Sequence, residues 1–479
     1  MKWTYMKLIC FSGIRYFLML LVVFFLSLGF GLLPASHADS NSSTAEDNVF
    51  GDEKNAFGGE NAAASEAASF SMAADDNQIV LNGFLEIERG ARVGESENHE
   101  ETWVLANERV RLKTSKSVDK GGFDLKIDFV KDGITRKTEV DIREARLRYS
   151  PFRWMDLSIG KQVATWGVGD LIFINDLFPK NWVNLFTGRD IESLKDASNA
   201  VRITSYLGNW TWDVVWTPEF DPDSTPTGCR FSVFDPNQGM PVANTESCGE
   251  PVSVEEQNNK DENGEIAMRL KTLFGSQEVA LYAYNGFWKN PKGLKFSPAA
   301  GLFIPFYPRL GVYGLSSEGQ LGPGIVFFEA GHYRSYEDED GTNPLIENSN
   351  VRGMVGYKYQ FSADLTLSGQ VMSEKMLNYD NYEDHVPVGL IAKDEVRNTV
   401  TLRLMQTAQQ ETLRMSFFVY HRPQHRDDYL RYWVNKRLDD HFDVTVGGNV
   451  FSGHPDYLDS EFGMLRKDDN AFVRVKYIF

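Results

Sequence analysis

The chain has 479 residues, 67 acidic against 49 basic side chains, a formal net charge of −18 at pH 7 and 13% aromatic residues. Such acidity argues against a nucleic-acid partner, because polyphosphates select basic surfaces. The slightly negative mean hydropathy excludes a bundle of membrane helices but not a membrane barrel, whose short alternating strands disappear in hydropathy averages.

At the start, Lys2, Lys7 and Arg15 precede an apolar run over 17–33 and then "PASHA". That layout predicts a secretory signal over 1–38, cleaved after Ala38, with a retained membrane anchor as the alternative. Cys10 precedes the apolar run, so it is not placed to accept a lipid. Residues 39–78 are rich in Ala, Ser, Gly, Asn and acids without a sustained period. They read as a disordered acidic periplasmic leader, or as a short tethered helix around 61–72.

From 79 to 479 the signal is alternation. "FDLKIDF" sets Phe123, Leu125, Ile127 and Phe129 against Asp124, Lys126 and Asp128, and "EARLRYS" sets Ala145, Leu147 and Tyr149 against Glu144, Arg146 and Arg148. Period two means strands with one apolar and one polar face. Similar segments fall at 80–92, 102–116, 122–131, 138–150, 153–165, 199–208, 210–217, 264–274, 277–287, 309–318, 323–334, 351–361, 364–374, 394–406, 411–421, 429–438, 441–451 and 470–479. Tight turns such as "VDKG", "SPFR", "LGNW", "FGSQ", "FSAD", "TAQQ" and "LDDH" occupy every second junction. Longer connections fill others, at 166–199, 218–263, 288–308, 335–350, 375–393 and 452–469. Short turns on one side and long loops on the other predict an all-β, antiparallel, transmembrane outer-membrane β-barrel of about 18 strands, or 16 if 277–287 and 309–318 are misdrawn.

The sequence ends in "FVRVKYIF", with Val473, Val475, Tyr477 and Phe479 on one face and Arg474 and Lys476 on the other. The expectation is that this strand seals against 80–92, and that Tyr477 and Phe479 are read by the barrel-assembly machinery. Outer-membrane lipid and lipopolysaccharide are the other expected partners; export or efflux partners stay unspecified.

Cys229 and Cys248 flank one long loop, and in an oxidising compartment they are expected to form a disulfide, with a metal site as the rival. His421 and His425 have ligand-like spacing, but Pro423 lies between them and no HExxH glutamate accompanies them, so a solvated loop is the simpler reading. No catalytic residue, metal ligand or cofactor is nominated.

Acids crowd the leader and the long loops, as in the run Glu337–Asp340, while the polar strand faces carry many cations. Arg146, Arg148, Arg202, Arg269, Lys271, Arg403, Arg414, Arg431, Arg474 and Lys476 are the expected pore-lining residues, with Arg109, Arg111, Lys113, Arg397 and Arg437 on the same face. A wall of this kind favours anionic solutes. Alternatively, these arginines pair with lumen carboxylates such as Glu86, Glu88, Asp124, Asp128 and Glu144, or with loop acids.

The loop after 153–165 is too apolar for an exposed connection, with Leu171, Ile172, Phe173, Ile174, Leu177, Phe178, Trp182, Leu185 and Phe186 inside 20 residues or so. It is expected to fold into the lumen as a short helix or plug, with Trp166, Asp170, Asp176, Trp182, Arg189 and Asp190 forming a constriction; a cap on the rim is the alternative. "GKQ" at 160–162, "WG" at 166–167, and Asp170 and Asp176 make the chain resemble a porin-like family of Gram-negative outer-membrane β-barrels, distantly similar to alginate-export barrels. The resemblance implies an outer-membrane channel or export pore for small or polymeric solutes. A barrel enzyme, or a structural or adhesive barrel using its acidic external loops, is the alternative.

Overall fold

The computed structural model describes residues 80–94, 102–243, 248, 254–255, 263–388, 391–424, 426–454 and 460–479. The expected signal, the leader and His425 lie outside the described residues. In chain order the strands are β1 (Val80–Arg92), β2 (Trp103–Val118), β3 (Gly121–Asp132), β4 (Lys137–Phe152), β5 (Met155–Gln162), β6 (Ser198–Leu207) and β7 (Trp210–Thr217). A small hairpin, β8 (Val233–Asp235) and β9 (Met240–Val242), precedes β10 (Glu265–Phe274) and β11 (Gln277–Phe287). A second, β12 (Gly293–Ser297) and β13 (Leu302–Phe306), precedes β14 (Arg309–Leu321), β15 (Gly324–Ser335), β16 (Asn350–Ser362) and β17 (Leu365–Met376). Then follow β18 (Val396–Ala408), β19 (Leu413–Arg422), β20 (Asp427–Arg437), β21 (Phe442–Ser452) and β22 (Asn470–Ile478). The short helices are α1 (Trp182–Thr187) and α2 (Tyr379–His385).

Leaving aside the two small hairpins, 18 strands form one antiparallel sheet in which each pairs with its chain neighbours. β22 closes it on β1, from Phe84↔Ile478 to Arg92↔Asn470. The chain therefore forms a closed 18-stranded antiparallel β-barrel, a sheet that presents no free edge strand to template aggregation. The two spans whose existence was open both form: β11 pairs with β14 from Gln277↔Gly319 to Phe287↔Arg309. The alternation of turns and loops is less regular than the sequence implies, since 133–136 and 423–426 are tight connections at the long-loop end.

The pleat sorts side chains as the period predicts. On β1, Leu85 and Ile87 are 47% and 53% exposed, whereas Glu86 and Glu88 between them are 1% and 0% exposed. Leu147, Leu281, Val355, Val371 and Val446 continue the exposed apolar face around the sheet. Buried acids with exposed leucines invert the order of a water-soluble protein and match a barrel whose outside meets lipid. Val355 lies midway along β16, so Val355→Arg is expected to cost about 2–4 kcal/mol of stability in lipid vesicles. Reversible urea unfolding measures this. An equally large loss in the isosteric Val355→Thr would assign the cost to packing rather than to charge in the bilayer.

Candidate functional site

The segment between β5 and β6, residues 163–197, carries the constriction residues expected from sequence. Its contacts run through the barrel strands in their order around the sheet. Trp166 is buried with the Arg269 guanidinium of β10 5.2 Å above its ring, and it meets Tyr282 of β11. The backbone N–H groups of Val168 and Asn175 donate to the Glu329 carboxylate of β15 at 3.2 and 2.7 Å. Asp170 forms a fork with Arg403 of β18, its Oδ1 2.8 Å from Nη2, while its N–H donates to Gln370 of β17. Further on, Arg431 of β20 donates to the carbonyls of Leu185 and Arg189, and Asn449 of β21 and Asn470 of β22 donate to that of Phe186. Arg189 approaches Glu88 of β1 at 3.4 Å, and Asp190 takes Arg474 and Lys476 of β22. Glu192 then takes Arg111 of β2 and Lys126 of β3, and Asp196 takes Arg143 of β4, before the chain enters β6.

Apolar packing supplies the cohesion. Ile172, Ile174 and Phe178 pack with Tyr284, Val312, Phe327, Tyr333 and Met354 from β11 to β16. Leu185, Phe186, Ile191 and Leu194 pack with Phe418, Tyr429, Phe451 and Phe462. Each such side chain contributes about 1.5–3 kcal/mol when fully buried, so the segment is docked by far more than its polar contacts. Asn181 caps α1 by accepting from the N–H of Asn184 at 2.9 Å, and Gly188 ends it at φ 91°. A Cβ at Gly188 would stand 2.0 Å from the Phe472 ring, and one at Gly167, φ 84°, would stand 2.8 Å from Glu329. At both places only glycine permits the approach to the wall.

Trp182 donates through Nε1 to Asp223 at 2.9 Å, and Asp176 holds Lys180 at 3.3 Å while accepting from Thr165. Burial pushes the Arg189 guanidinium down to about 10, with Arg109 nearby adding to the effect. For Glu192, burial favours the proton, but Arg111 and then Lys126 outweigh it and hold the carboxyl well below its usual range.

The expected pore-lining cations lie on the inward strand face, and the acids that share it hold most of them. Asp124 is shared by Arg146 and Arg148 at 2.9 and 2.6 Å, and Asp213 by Arg202 at 3.1 Å and Arg269. Lys271 reaches Glu278 at 3.4 Å, Arg403 is taken by Asp170, and Arg414 is buried on the same face. Arg109 lies among Glu86, Glu88 and Asp128. Cations and acids are thus interleaved on this face, as in the second of the two readings of the sequence, and a carboxylate is repeatedly shared by two cations. Sequence reasoning missed Glu329, Gln370, Asn449 and Asn470. Each stands at the inward phase of its strand, where polar residues are the rule, so nothing in the sequence set it apart.

A cavity of about 1650 Å³ opens between the segment and the long connections, lined by residues such as Asn107, Arg143, Asn184, Phe220, Tyr307 and Glu347. Cys229 and Cys248 are joined by the expected disulfide. The hairpin inside that loop lines the cavity through Val233, Phe234 and Gly239, and Arg230 ties it to Asp132. His421 lies away from it, half-exposed and 2.5 Å from Asp428. Among the described residues no group of three or more His, Cys, Asp or Glu is arranged to hold a metal.

Neither a family model nor a curated protein sequence matches the chain. Among solved structures it is similar to OccAB3 of Acinetobacter baumannii, with a TM-score of 0.48 and 11% identity over 84% of this chain and 99% of that one. It is similar also to OccD3 of Pseudomonas aeruginosa, at 0.48 and 8% over 85% and 93%. OmpF of Salmonella typhi, in complex with daunomycin, matches at 0.42 and 10% over 85% and 99%.

Proposed function

We propose that the chain is a channel of the bacterial outer membrane in which residues 163–197 line the lumen as a belt and set its narrowest passage. The ordered series of contacts from β10 round to β4 is the observation that carries this reading. A segment that touches nearly every strand in turn narrows the bore from all sides, whereas a rim cap would meet only strand ends and loops. Solute enters through the cavity of about 1650 Å³ and passes the belt by diffusion.

The same geometry supports a modest preference for anions. Asp124, Asp213, Asp190, Glu192 and Glu374 are each shared by two cations. Glu144 at Arg146, Asp128 at Arg111, Glu86 at Lys476 and Glu347 at Arg397 offset most of that excess, so the preference is small and rests on individual cations that a solute meets. A monovalent anion about 4 Å from one such charge gains roughly 1 kcal/mol in bulk water and about 4 kcal/mol at an effective dielectric near 20. Salt screens this. Reversal potentials in planar bilayers under a salt gradient should therefore show anions permeating better, by a margin that shrinks as ionic strength rises. Cation preference at low salt would reject the charge argument while leaving the channel intact. No conductance and no solute release from liposomes would reject the channel.

A further inference from the structure

The barrel wall is uneven beside the belt. β4 has 16 residues and β5 only 8, and the two pair only from Ala145↔Lys161 down to Phe152↔Met155. Above Ala145↔Lys161 the neighbouring chain turns inward as the belt, and it rejoins the wall at Ser198, opposite Gln162. On its other side β4 is paired with β3 up to Asp132↔Lys137. Among the described residues, therefore, no strand covers the β5 side of 137–143. This edge stands at the depth of the apolar band. Val140 lies opposite Phe129, Phe129 opposite Val110 and Val110 opposite Leu85, so these side chains form one outward row. Phe129 and Val140 are 42% and 60% exposed. The next outward row, Glu108, Lys131 and Thr138, is polar and marks the upper border of the band.

Val140 nevertheless lines the cavity of about 1650 Å³, together with Glu139, Asp141 and Arg143. One side chain thus borders both the lipid-facing surface and the lumen. Hydrocarbon offers no partner to the N–H and C=O groups of a strand edge, so a wall that lacks a strand at this depth stands only where water reaches it. Arg143 holds Asp196 at 2.9 Å, and Asp196 accepts from Ser224 at 3.1 Å, which fixes the returning belt to the inner side of β4. We infer that the cavity opens sideways past the edge of β4, as a portal through which a small uncharged apolar solute moves between the surrounding lipid and the lumen. A charged solute would lose its hydration on entering the hydrocarbon and is excluded from this route. Val183, Phe220, Pro222 and Pro226 give the same cavity apolar surface on which such a solute can rest, and the uncovered edge can bond its single polar atom where it has one.

The portal takes its purpose, though not its geometry, from the channel reading, so the two are tested by different readouts. Nitroxide labels on Val140→Cys and Phe129→Cys, each in a full chain carrying Cys10→Ser and reconstituted in vesicles, report the surroundings of the edge. The two positions share one row, but only Phe129 lies on a strand paired on both sides. Both labels should collide with oxygen, which concentrates in lipid, at rates within about twofold of each other, while a water-soluble nickel chelate should reach Val140 about fivefold more often than Phe129. Heat-modifiable migration of each labelled chain confirms assembly first. Nickel access at both positions would mean that the row stands above the bilayer, and nickel access at neither would mean that the edge is sealed; either result overturns the portal. For passage, naphthalene dissolved in the lipid of a planar bilayer should produce brief partial blocks of the current. Val140→Trp, which fills the edge, should cut their frequency per unit of open time about fivefold. Blocks that are absent, or equally frequent in Val140→Trp, would overturn passage through this edge. The unequal nickel access without any bilayer current would keep the portal and reject the channel.

Discussion

Replacing Leu171–Phe186 with a short Gly-Ser linker should raise single-channel conductance by about twofold or more, because it removes the part of the belt that crosses from β15 to β20. The excised residues include both apolar docking clusters' main contributors, Ile172, Ile174, Phe178, Leu185 and Phe186. The sheet itself should survive, since all 18 pairings that close it lie outside the segment. Assembly is therefore checked first by heat-modifiable migration, and conductance is compared only for barrels that pass. A well-assembled deletion barrel with native conductance would mean that the belt does not limit the passage, and the constriction would then have to lie among the long connections above it. The deletion also strips the Glu329 carboxylate of the Asn175 N–H, leaving that of Val168 as the belt donor in place. A buried acceptor deprived of a donor takes up water instead, which further widens the hydrated bore.

The barrel was legible because its physics is local. A strand with lipid on one side and polar neighbours on the other must alternate, so "FVRVKYIF" announced Arg474 inward and Val473 outward, and the burial of Arg474 at 4% against 39% exposure for Val473 agrees. Strand neighbours were legible too, because each pair is joined by the next turn in the chain. Charge balance was not. Arg202 and Asp213 are only 11 residues apart, yet that they meet depends on Thr204 standing opposite Asp213 across β6 and β7, a register that alternation does not fix. Arg403 and Asp170 lie 233 residues apart, and nothing local connects them. Counting cations on a face therefore overstated the field, because the matching acids sit on the same face of neighbouring strands and on the belt. The apolar run from Leu171 to Phe186 did signal burial, and Ile172, Ile174, Phe178, Leu185 and Phe186 are buried. Its route did not show, because the glycines and amides that hold it, Gly167, Gly188, Gln370 and Asn449, are unremarkable in sequence and acquire meaning only beside the wall they touch.

Asp190→Asn should cost about 3–5 kcal/mol, the usual price of stripping one partner from a buried ion pair. The carboxylate holds Lys476 at 2.6 Å and also takes Arg474; on β22 Arg474 is buried and Lys476 half-buried. Glu86 stands 3.5 Å from Lys476, and Asp443 lies opposite it on β21. Burial would raise the Asp190 carboxyl, but Arg474 and then Lys476 overcome it and hold the group well below its usual range. A carboxyl depressed in the folded state contributes stability that is fully present above its unfolded value, about 3.9, and is lost only as pH falls toward the folded value. The gap in unfolding free energy between the native chain and Asp190→Asn should therefore be the same at pH 5 and pH 8 and narrow only below about pH 4. Urea unfolding in vesicles at three pH values tests this. A gap that widens from pH 5 to pH 8 would assign the titration to another group, and no gap at any pH would mean that the belt's return to β22 is held by apolar packing around Ile191 and Leu194 alone. The same variant has a second signature. With Arg474 and Lys476 released from their shared acid, the passage gains net positive charge, so anion preference should increase even as stability falls. A structural defect without an electrostatic role would loosen the belt and lower selectivity instead.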